Sequence, residues 1–139
     1  MQVRDVMTKG AECVRPSNSL QEAAQRMKSL DVGPLPVCDN DRLAGLITDR
    51  DIAVRAVAEG CDPRTTTVQN VMTPDVLYCF EEQDVEEAAQ LMCEHQVRRL
   101  VVLNHDKRLV GIVSLGDLAV DAGDEKLAGM TLEQVSLPT

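Results

Sequence analysis

Two stretches of like sequence decide the fold of this chain: Gly45-Leu46-Ile47-Thr48-Asp49-Arg50-Asp51 and Gly111-Ile112-Val113-Ser114-Leu115-Gly116-Asp117. Each begins with a glycine and two apolar residues. Each then has a hydroxyl side chain followed three residues later by an aspartate. A pattern this long, found twice in 139 residues, indicates an internal duplication.

The duplication extends beyond this motif. Three further blocks recur in the same order, residues 3–8 as 68–73, residues 22–27 as 87–92, and residues 32–37 as 97–102. We therefore expect two copies of one small unit. The predicted boundaries are a first copy at 1–59, a linker at 60–67, a second copy at 68–123, and a tail at 124–139. The tail matches neither copy, and either a docked helix or a mobile segment fits it.

Each copy has the pattern of a β-α-β-β-α unit. Ser19 and Asp84 precede Glu22 and Glu87 by three residues, the spacing of a capping box at the start of a helix. Two short apolar runs around a polar turn then predict a hairpin. A second helix is expected after the hydroxyl residue of each motif, and its second-copy version ends near Gly123. The predicted fold class is therefore mixed α and β.

Composition excludes several classes of function. The net charge of −9 argues against nucleic acids and anionic membranes as partners, because both are bound through Lys and Arg. No apolar run is long enough to cross a membrane, and the N-terminus lacks the pattern of a secretory signal, so we expect a cytoplasmic protein. With one Phe, one Tyr and no Trp, the core must be aliphatic and Met-rich.

The duplicated motif and the repeated Val-Met-Thr of residues 6–8 and 71–73 resemble the cystathionine-β-synthase (CBS) domain pair, or Bateman module. The resemblance covers about residues 3–122. It implies two units packed about a pseudo-twofold axis, and pairs that often form homodimers. It also implies clefts between the units that hold AMP, ATP, NAD or S-adenosylmethionine in different members, while some members bind nothing.

Thr48 with Asp51 and Ser114 with Asp117 are the central candidate residues. Helix capping alone explains a single hydroxyl-x-x-aspartate pattern. The recurrence, together with the resemblance, favours ligand contact in addition to capping. The hydroxyl would then donate to a phosphate at the helix start, and the aspartate would accept from the two ribose hydroxyls. Backbone groups near Glu12 and Leu77 would read the edge of the base.

The packing that the resemblance implies would make the two clefts unequal. Asp51 would face residues 97–99, whose arginines could neutralise phosphate, whereas Asp117 would face the uncharged residues 32–34. The Asp51 cleft should then prefer phosphorylated nucleotides, although a solvated arginine pair explains Arg98 and Arg99 equally well. The full candidate ligand site comprises Val32, Gly33, Pro34, Leu46, Thr48, Arg50, Asp51, Val97, Arg98, Arg99, Ile112, Ser114, Gly116 and Asp117, with Glu12 and Leu77.

Cysteine chemistry offers an alternative. The five cysteines include no C-x-x-C pair, so neither a disulfide framework nor a metal site is indicated. Cys13 and Cys38 stand near the ends of predicted neighbouring strands. Both a disulfide between them and two reduced core thiols are compatible with the sequence, and a reducing cytoplasm favours the thiols.

These observations predict a non-catalytic regulatory module, because no catalytic residue set can be assembled. It would require no cofactor, bind an adenosine-containing molecule as a regulatory ligand, and signal to a separate protein partner of unknown identity. The alternative is a structural or redox-responsive interaction protein that depends on Cys13 and Cys38 and whose clefts stay empty.

Overall fold

A computed structural model describes residues 1–10, 12–120 and 125–137, and the chain divides into two compact units. The unit that we call the Thr48 unit is Glu12–Val76. The second, called the Ser114 unit, joins Met1–Ala11 to Leu77–Thr139. Each unit thus contains most of one sequence copy together with the opening segment of the other copy.

The chain forms six strands and five helices over the described residues. In chain order they are β1 (Thr8–Lys9), α1 (Leu20–Leu30), β2 (Pro34–Asp39), β3 (Arg42–Thr48), α2 (Asp49–Asp51), β4 (Tyr78–Phe80), α3 (Val85–His95), β5 (Arg99–Leu103), β6 (Leu109–Ser114), α4 (Leu115–Val120) and α5 (Glu125–Val135). Helix α2 continues as a π-helical turn over Ile52–Val57, and 3-10 turns occupy Val3–Asp5 and Val68–Asn70. The mixed α and β fold class is confirmed.

The Ser114 unit is built on a four-stranded sheet in the order β1-β6-β5-β4. Strands β5 and β6 form the predicted hairpin, and β4 adds to β5 in parallel. Leu100, Val102 and Val113 point from the sheet into an aliphatic core with helix α3, which contributes Ala88 and Met92. An antiparallel hairpin thus places alternate residues of β5 and β6 on opposite faces, so one face packs on the helices and the other carries the candidate site.

The Thr48 unit has the same plan with fewer regular strands. Strands β2 and β3 form its hairpin. Single bridges join Val14 to Val37 and Leu46 to Thr73, at the positions that β4 and β1 occupy in the Ser114 unit. Its core includes Leu20, Ala23 and Met27 of α1 with Leu35, Val37 and Ile47 of the hairpin.

In both units, the repeated Val-Met-Thr segment packs so closely against the repeated glycine that no side chain fits between them. A Cβ atom at Gly45 would lie 2.7 Å from the carbonyl oxygen of Thr73 and 2.9 Å from the sulfur of Met72. In the Ser114 unit, a Cβ atom at Gly111 would lie 2.6 Å from the oxygen of Thr8 and 2.9 Å from the sulfur of Met7. Only glycine therefore lets the incoming segment pair with the strand at this distance.

Helices α1 and α3 end in the same way. The C-cap residues Asp31 and Gln96 both adopt the left-handed conformation, with φ of 55° and 51°. The next amide, that of Val32 or Val97, then donates to the carbonyl of Met27 or Met92, at 3.0 and 3.1 Å. This turn aims residues 32–34 and 97–99 toward the strand that follows.

One predicted cap differs from the structure. Ser19 and Glu22 form the expected capping box at α1. Asp84 occupies the N-cap of α3, but its side chain makes no capping hydrogen bond. Its carboxylate lies 3.6 Å from the N-terminal amine of Met1 instead. A competing charge has thus drawn the side chain away from the helix.

The tail contains a docked helix, as one of the two sequence interpretations predicted. Helix α5 packs against α3 and α4 and buries Ala128, Thr131 and Val135. Beyond it, the side-chain amide of Gln96 donates to the Leu137 carbonyl at 2.9 Å. Gly123, where the second-copy helix was expected to end, lies outside the described residues. None of the helices in the described parts of the chain has the length and apolarity of a membrane span.

Candidate functional site

The hydroxyl-x-x-aspartate motif forms a capping box in both units. In the Thr48 unit, the amide of Asp51 donates to Thr48 Oγ1 at 3.1 Å, and the amide of Thr48 donates to Asp51 Oδ2 at 3.0 Å. In the Ser114 unit, the corresponding distances for Asp117 and Ser114 are 3.1 and 2.8 Å. Both motifs therefore cap the helix that follows them.

In each unit, the capping box leaves a hydroxyl proton and a carboxylate oxygen available to a ligand. Each hydroxyl oxygen accepts a hydrogen bond in the box, so its own proton stays available to a ligand oxygen. Each box uses only Oδ2 of the aspartate. Among the described residues, Asp117 Oδ1 has no donor, while Asp51 Oδ1 lies 3.8 Å from Arg55 Nε in a weak ion pair. One carboxylate oxygen per unit can thus accept from a sugar hydroxyl.

The loop after each first helix is fastened to the motif of its own unit. In the Thr48 unit, the amide of Asp49 donates to the carbonyl of Gly33 at 3.0 Å. In the Ser114 unit, the amide of Leu115 donates to the carbonyl of Arg98 at 2.9 Å. Residues 32–34 and 97–99 therefore lie directly beside the capping boxes of their own units.

Strand register places several candidate residues on one sheet face. Arg99 pairs with Ser114 and Val101 with Ile112, so Arg99, Ile112 and Ser114 share the face opposite the helices. In the Thr48 unit, the same positions are held by other residues. Pro34 pairs with Thr48 and Pro36 with Leu46, so Pro34, Leu46 and Thr48 share a face there.

The two sites carry different charges. The carboxylate of Asp49 lies about 3.2 Å from the position of a Cβ atom at Gly33, so this acid covers the loop of the Thr48 unit. Leu115 takes the place of Asp49 in the Ser114 unit, and Arg98 and Arg99 take the places of Gly33 and Pro34. The Arg98 side chain lies 3.5 Å from Ser136 Oγ, near the end of α5, which leaves Arg99 as the arginine on the face of Ser114.

The remaining candidates are less closely tied to the motifs. Arg50 and Gly116 are exposed within the first turns after the hydroxyl residues. Val32 is 40% exposed, and Val97 is half-buried against the Ser114-unit core. Ala11, next to the predicted base-reading position at Glu12, lies outside the described residues.

Glu12 and Leu77 occupy matching positions with different partners. The carboxylate of Glu12 forms an ion pair with Arg26 of α1 at 2.6 Å. Leu77 instead packs on the apolar core, where Leu91 stands in place of Arg26. Sequence reasoning missed the Glu12–Arg26 pair, although the charge at position 26 inside an otherwise repeated block was its signal.

Two open clefts of the Thr48 unit lie away from its capping box. One, of about 380 Å³, runs along α1 and is lined by Val14, Asn18, Glu22, Gln25, Arg26 and Ser29. The other, of about 320 Å³, is lined by Arg15, Pro16, Ser17, Asp39, Asn40 and Gln69. Neither lining contains Thr48 or Asp51.

Cys13 and Cys38 are brought together inside the Thr48 unit. Val14 bridges Val37 in parallel, and the Cys38 amide donates to the carbonyl of Val14 at 2.9 Å. Burial, with the neighbouring Cys13 as a further cause, raises the pKa of the Cys38 thiol to about 12. Both cysteines are free thiols in this structure. Over residues 1–10, 12–120 and 125–137, no group of three or more His, Cys, Asp or Glu side chains is arranged to hold a metal ion.

Comparison with known proteins supports the duplicated fold. The CBS domain family model matches residues 3–57 and 68–121. The CBS domain-containing protein YhcV of Bacillus subtilis is 42% identical over 134 residues, which cover 96% of this chain and 94% of YhcV. Hypoxic response protein 1 of Mycobacterium tuberculosis is 43% identical over 84% of this chain and 81% of its own length.

Solved structures give the same result and add ligands. The crystal structure of Hypoxic Response Protein I, with two coordinated zinc ions, has a TM-score of 0.77 at 42% identity and covers 86% of this chain and 97% of that chain. CBSX2 in complex with AMP has a TM-score of 0.73 at 30% identity, with coverage of 90% and 98%. The CBS domain pair of MJ0100, in complex with 5′-methylthioadenosine and S-adenosylmethionine, has a TM-score of 0.75 at 28% identity, with coverage of 86% and 97%.

CBS domain pairs are regulatory rather than catalytic modules, and some of the structural neighbours bind adenosine-containing ligands. The family match takes in most of the chain, in two tandem segments that contain both capping boxes. This chain belongs to the CBS domain family, as a tandem pair of CBS domains.

Proposed function

We propose that this CBS pair is a non-catalytic sensor of an adenosine-containing ligand in the cytoplasm, and that it signals ligand binding to a separate protein partner. The observation that carries the proposal is the capping box built twice, after the same glycine, with a hydroxyl proton and a carboxylate oxygen left over in each copy. The AMP bound to CBSX2, and the 5′-methylthioadenosine and S-adenosylmethionine bound to the CBS domain pair of MJ0100, support the choice of ligand class.

The residue chemistry suits a nucleoside. Asp51 and Asp117 would accept from the ribose hydroxyls through Oδ1, the oxygen that the box does not use. Thr48 and Ser114 would donate to a more distant oxygen of the ligand. The aliphatic residues Leu46 and Ile112, on the same sheet face as the hydroxyl groups, would cover the base.

A thermal-shift screen tests the proposal directly. A ligand that binds only the folded state at one hundred times its Kd stabilises the fold by about 2.7 kcal/mol. We expect such a shift with at least one of AMP, ADP, ATP, NAD and S-adenosylmethionine. Asp51→Asn and Asp117→Asn should each weaken binding in calorimetry, and Glu86→Gln, on an exposed position of α3, serves as the control. No shift with any of the five ligands would reject the proposal.

Homodimer formation is part of the same proposal. Residues 52–57 are apolar except for Arg55, and two of them, Val54 and Val57, are 51% and 65% exposed. Ala56, by contrast, is buried in the core of its own unit. Sedimentation of the protein should give a dimer that Val57→Glu weakens, and a monomeric wild type would rule this part out.

A second candidate function rests on the contact between Cys13 and Cys38. Hydrogen peroxide would oxidise the half-exposed Cys13 thiol to a sulfenic acid with release of one water. The Cys38 thiol would then displace the hydroxyl as a second water and form the disulfide. Both thiols are thereby oxidised, and peroxide is reduced.

Thiol counting separates this candidate from the first. Alkylation and mass measurement should find five free thiols in the reduced protein and three after peroxide treatment. Cys38→Ser should prevent the disulfide, whereas Cys61→Ser should not. A redox-responsive interaction protein would also keep its partner when Asp51 and Asp117 are replaced. Persistence of five thiols under peroxide would exclude the candidate.

A further inference from the structure

The two candidate sites differ in charge at one matched position, which, if the proposed function holds, would determine the ligand that each site accepts. Pro34 and Arg99 occupy the same position in the two hairpins, each directly paired with the hydroxyl residue of its capping box. Pro34 has no charge and no side-chain donor. Arg99 carries a permanent positive charge with five N–H donors. The position therefore distinguishes two sites that otherwise use the same chemistry.

The arginine is well placed to meet a ligand oxygen. Directly opposed residues of an antiparallel pair have Cβ atoms about 4.5–5.5 Å apart on the same face, so Arg99 and Ser114 project side by side. Arg99 is exposed, and none of the described acidic residues forms an ion pair with it. The neighbouring Arg98 is directed toward Ser136 of the tail. The guanidinium of Arg99 is thus the available cation beside this hydroxyl.

The Thr48 unit shows the opposite charge. The carboxylate of Asp49 lies over Gly33, next to the Thr48–Asp51 box, and Asp51 adds a second negative charge. Arg55 is already shared between Asp51 and the carbonyl of Val71. An anionic ligand oxygen near Thr48 would therefore be repelled by Asp49 and Asp51. The exposed Arg50 of the same turn stands between these two aspartates in the sequence, and its single positive charge does not offset both.

We infer that Arg99 makes the Ser114 unit the site for a nucleotide with an anionic phosphate, whereas Pro34 and Asp49 restrict the Thr48 unit to an uncharged or cationic adenosine derivative. This assignment is the reverse of the preference expected from the sequence, which grouped Arg98 and Arg99 with Asp51. The reason is local. The strand register pairs Arg99 with Ser114, and the loop hydrogen bond joins Arg98 to Leu115, all within one unit.

Calorimetric titration with AMP and with adenosine tests the inference, since the two ligands differ only in the phosphate. A hydrogen bond to a charged group contributes about 1.5–3 kcal/mol, which corresponds to about a tenfold to hundredfold change in affinity. Arg99→Gln should weaken AMP binding by that factor and leave adenosine binding within about twofold. Arg108→Gln, at an exposed arginine in the turn between β5 and β6, should change the affinity for neither ligand. Asp117→Asn should remove the AMP-preferring site, and Asp51→Asn should not.

The possible failures are distinguishable. If wild-type protein binds neither adenosine nor AMP, the proposed function itself is wrong. If both bind and Arg99→Gln leaves the ratio of AMP to adenosine affinity unchanged, the sensor proposal survives and the role of Arg99 is refuted. A loss of AMP preference caused by Asp51→Asn instead of Asp117→Asn would also overturn the assignment.

Discussion

Replacement of Gly45 by alanine is the sharpest test of how each unit is assembled. The new Cβ atom would stand 2.7 Å from the Thr73 carbonyl oxygen and 2.9 Å from the Met72 sulfur. The sulfur belongs to a flexible side chain and can move. The carbonyl cannot move freely, because it accepts from the Leu46 amide at 2.9 Å while the Thr73 amide donates to Leu46 at 2.8 Å. The clash therefore forces the two segments apart.

The cost can be estimated from these contacts. Overpacking of a tight contact costs about 1–3 kcal/mol, and each backbone hydrogen bond that opens forfeits about 1 kcal/mol. We expect Gly45→Ala to lower the free energy of unfolding by about 2–4 kcal/mol. With a urea m-value of about 2 kcal/mol/M, the midpoint should fall by about 1–2 M at unchanged m.

The Ser114 unit provides a twin and a control. Gly111→Ala should behave like Gly45→Ala, because its Cβ atom would meet the Thr8 oxygen at 2.6 Å. Gly129, inside α5, has no atom within 4 Å of a new Cβ, so Gly129→Ala should stabilise the protein by up to about 1 kcal/mol through helix propensity. Wild-type stability of Gly45→Ala, or an equal loss from Gly129→Ala, would refute the reasoning.

Two further outcomes concern buried groups. Burial raises the pKa of Cys79 to about 12 from its ordinary 9.0. Its neutral form is therefore favoured by folding, and its contribution to the unfolding free energy should decrease between pH 9 and 12 by up to about 1.4 kcal/mol per pH unit. Cys79→Ala should remove this contribution from the slope in urea titrations and leave the contribution of Cys38, whose pKa is also raised to about 12. An unchanged slope would contradict the cause. In the tail, Val135→Ala removes two buried methyl groups from contact with the core and should lower the free energy of unfolding by about 1.6 kcal/mol. Glu133 is exposed, so Glu133→Ala should change this free energy by less than about 0.5 kcal/mol. Equal effects of the two substitutions would mean that α5 is not docked.

Local patterns in the sequence were sufficient for most of the secondary structure. The capping box at Ser19, both hairpins and both hydroxyl-capped helix starts depend on residues close together in the chain, and the structure contains all of them. The prediction that Asp84 caps α3 through its side chain was wrong, because the group that attracts its carboxylate, the N-terminal amine, lies far away in sequence. Local sequence patterns do not reveal interactions between residues that are distant in the chain.

The candidate site shows the same limit. Sequence comparison of the copies identified Thr48, Asp51, Ser114 and Asp117 without any coordinates, because the motif repeats. It could not place Arg99, since only the strand register shows that this residue stands opposite Ser114. Nor could it find that Arg98 is directed toward Ser136, because the tail has no counterpart in the first copy.

Assignment of the two Val-Met-Thr segments illustrates why duplicated chains are hard to interpret from sequence. Either segment could chemically pair with either glycine, because Met7-Thr8 and Met72-Thr73 are identical. Loop-closure entropy barely distinguishes the options, since it varies only with the logarithm of loop length. The structure selects the exchanged arrangement, in which Thr73 pairs beside Gly45 and Thr8 beside Gly111. A chain cut in the predicted linker at 60–67 would therefore separate the Gly45 strand from its partner segment. Each sequence copy therefore needs the opening segment of the other copy to complete its unit.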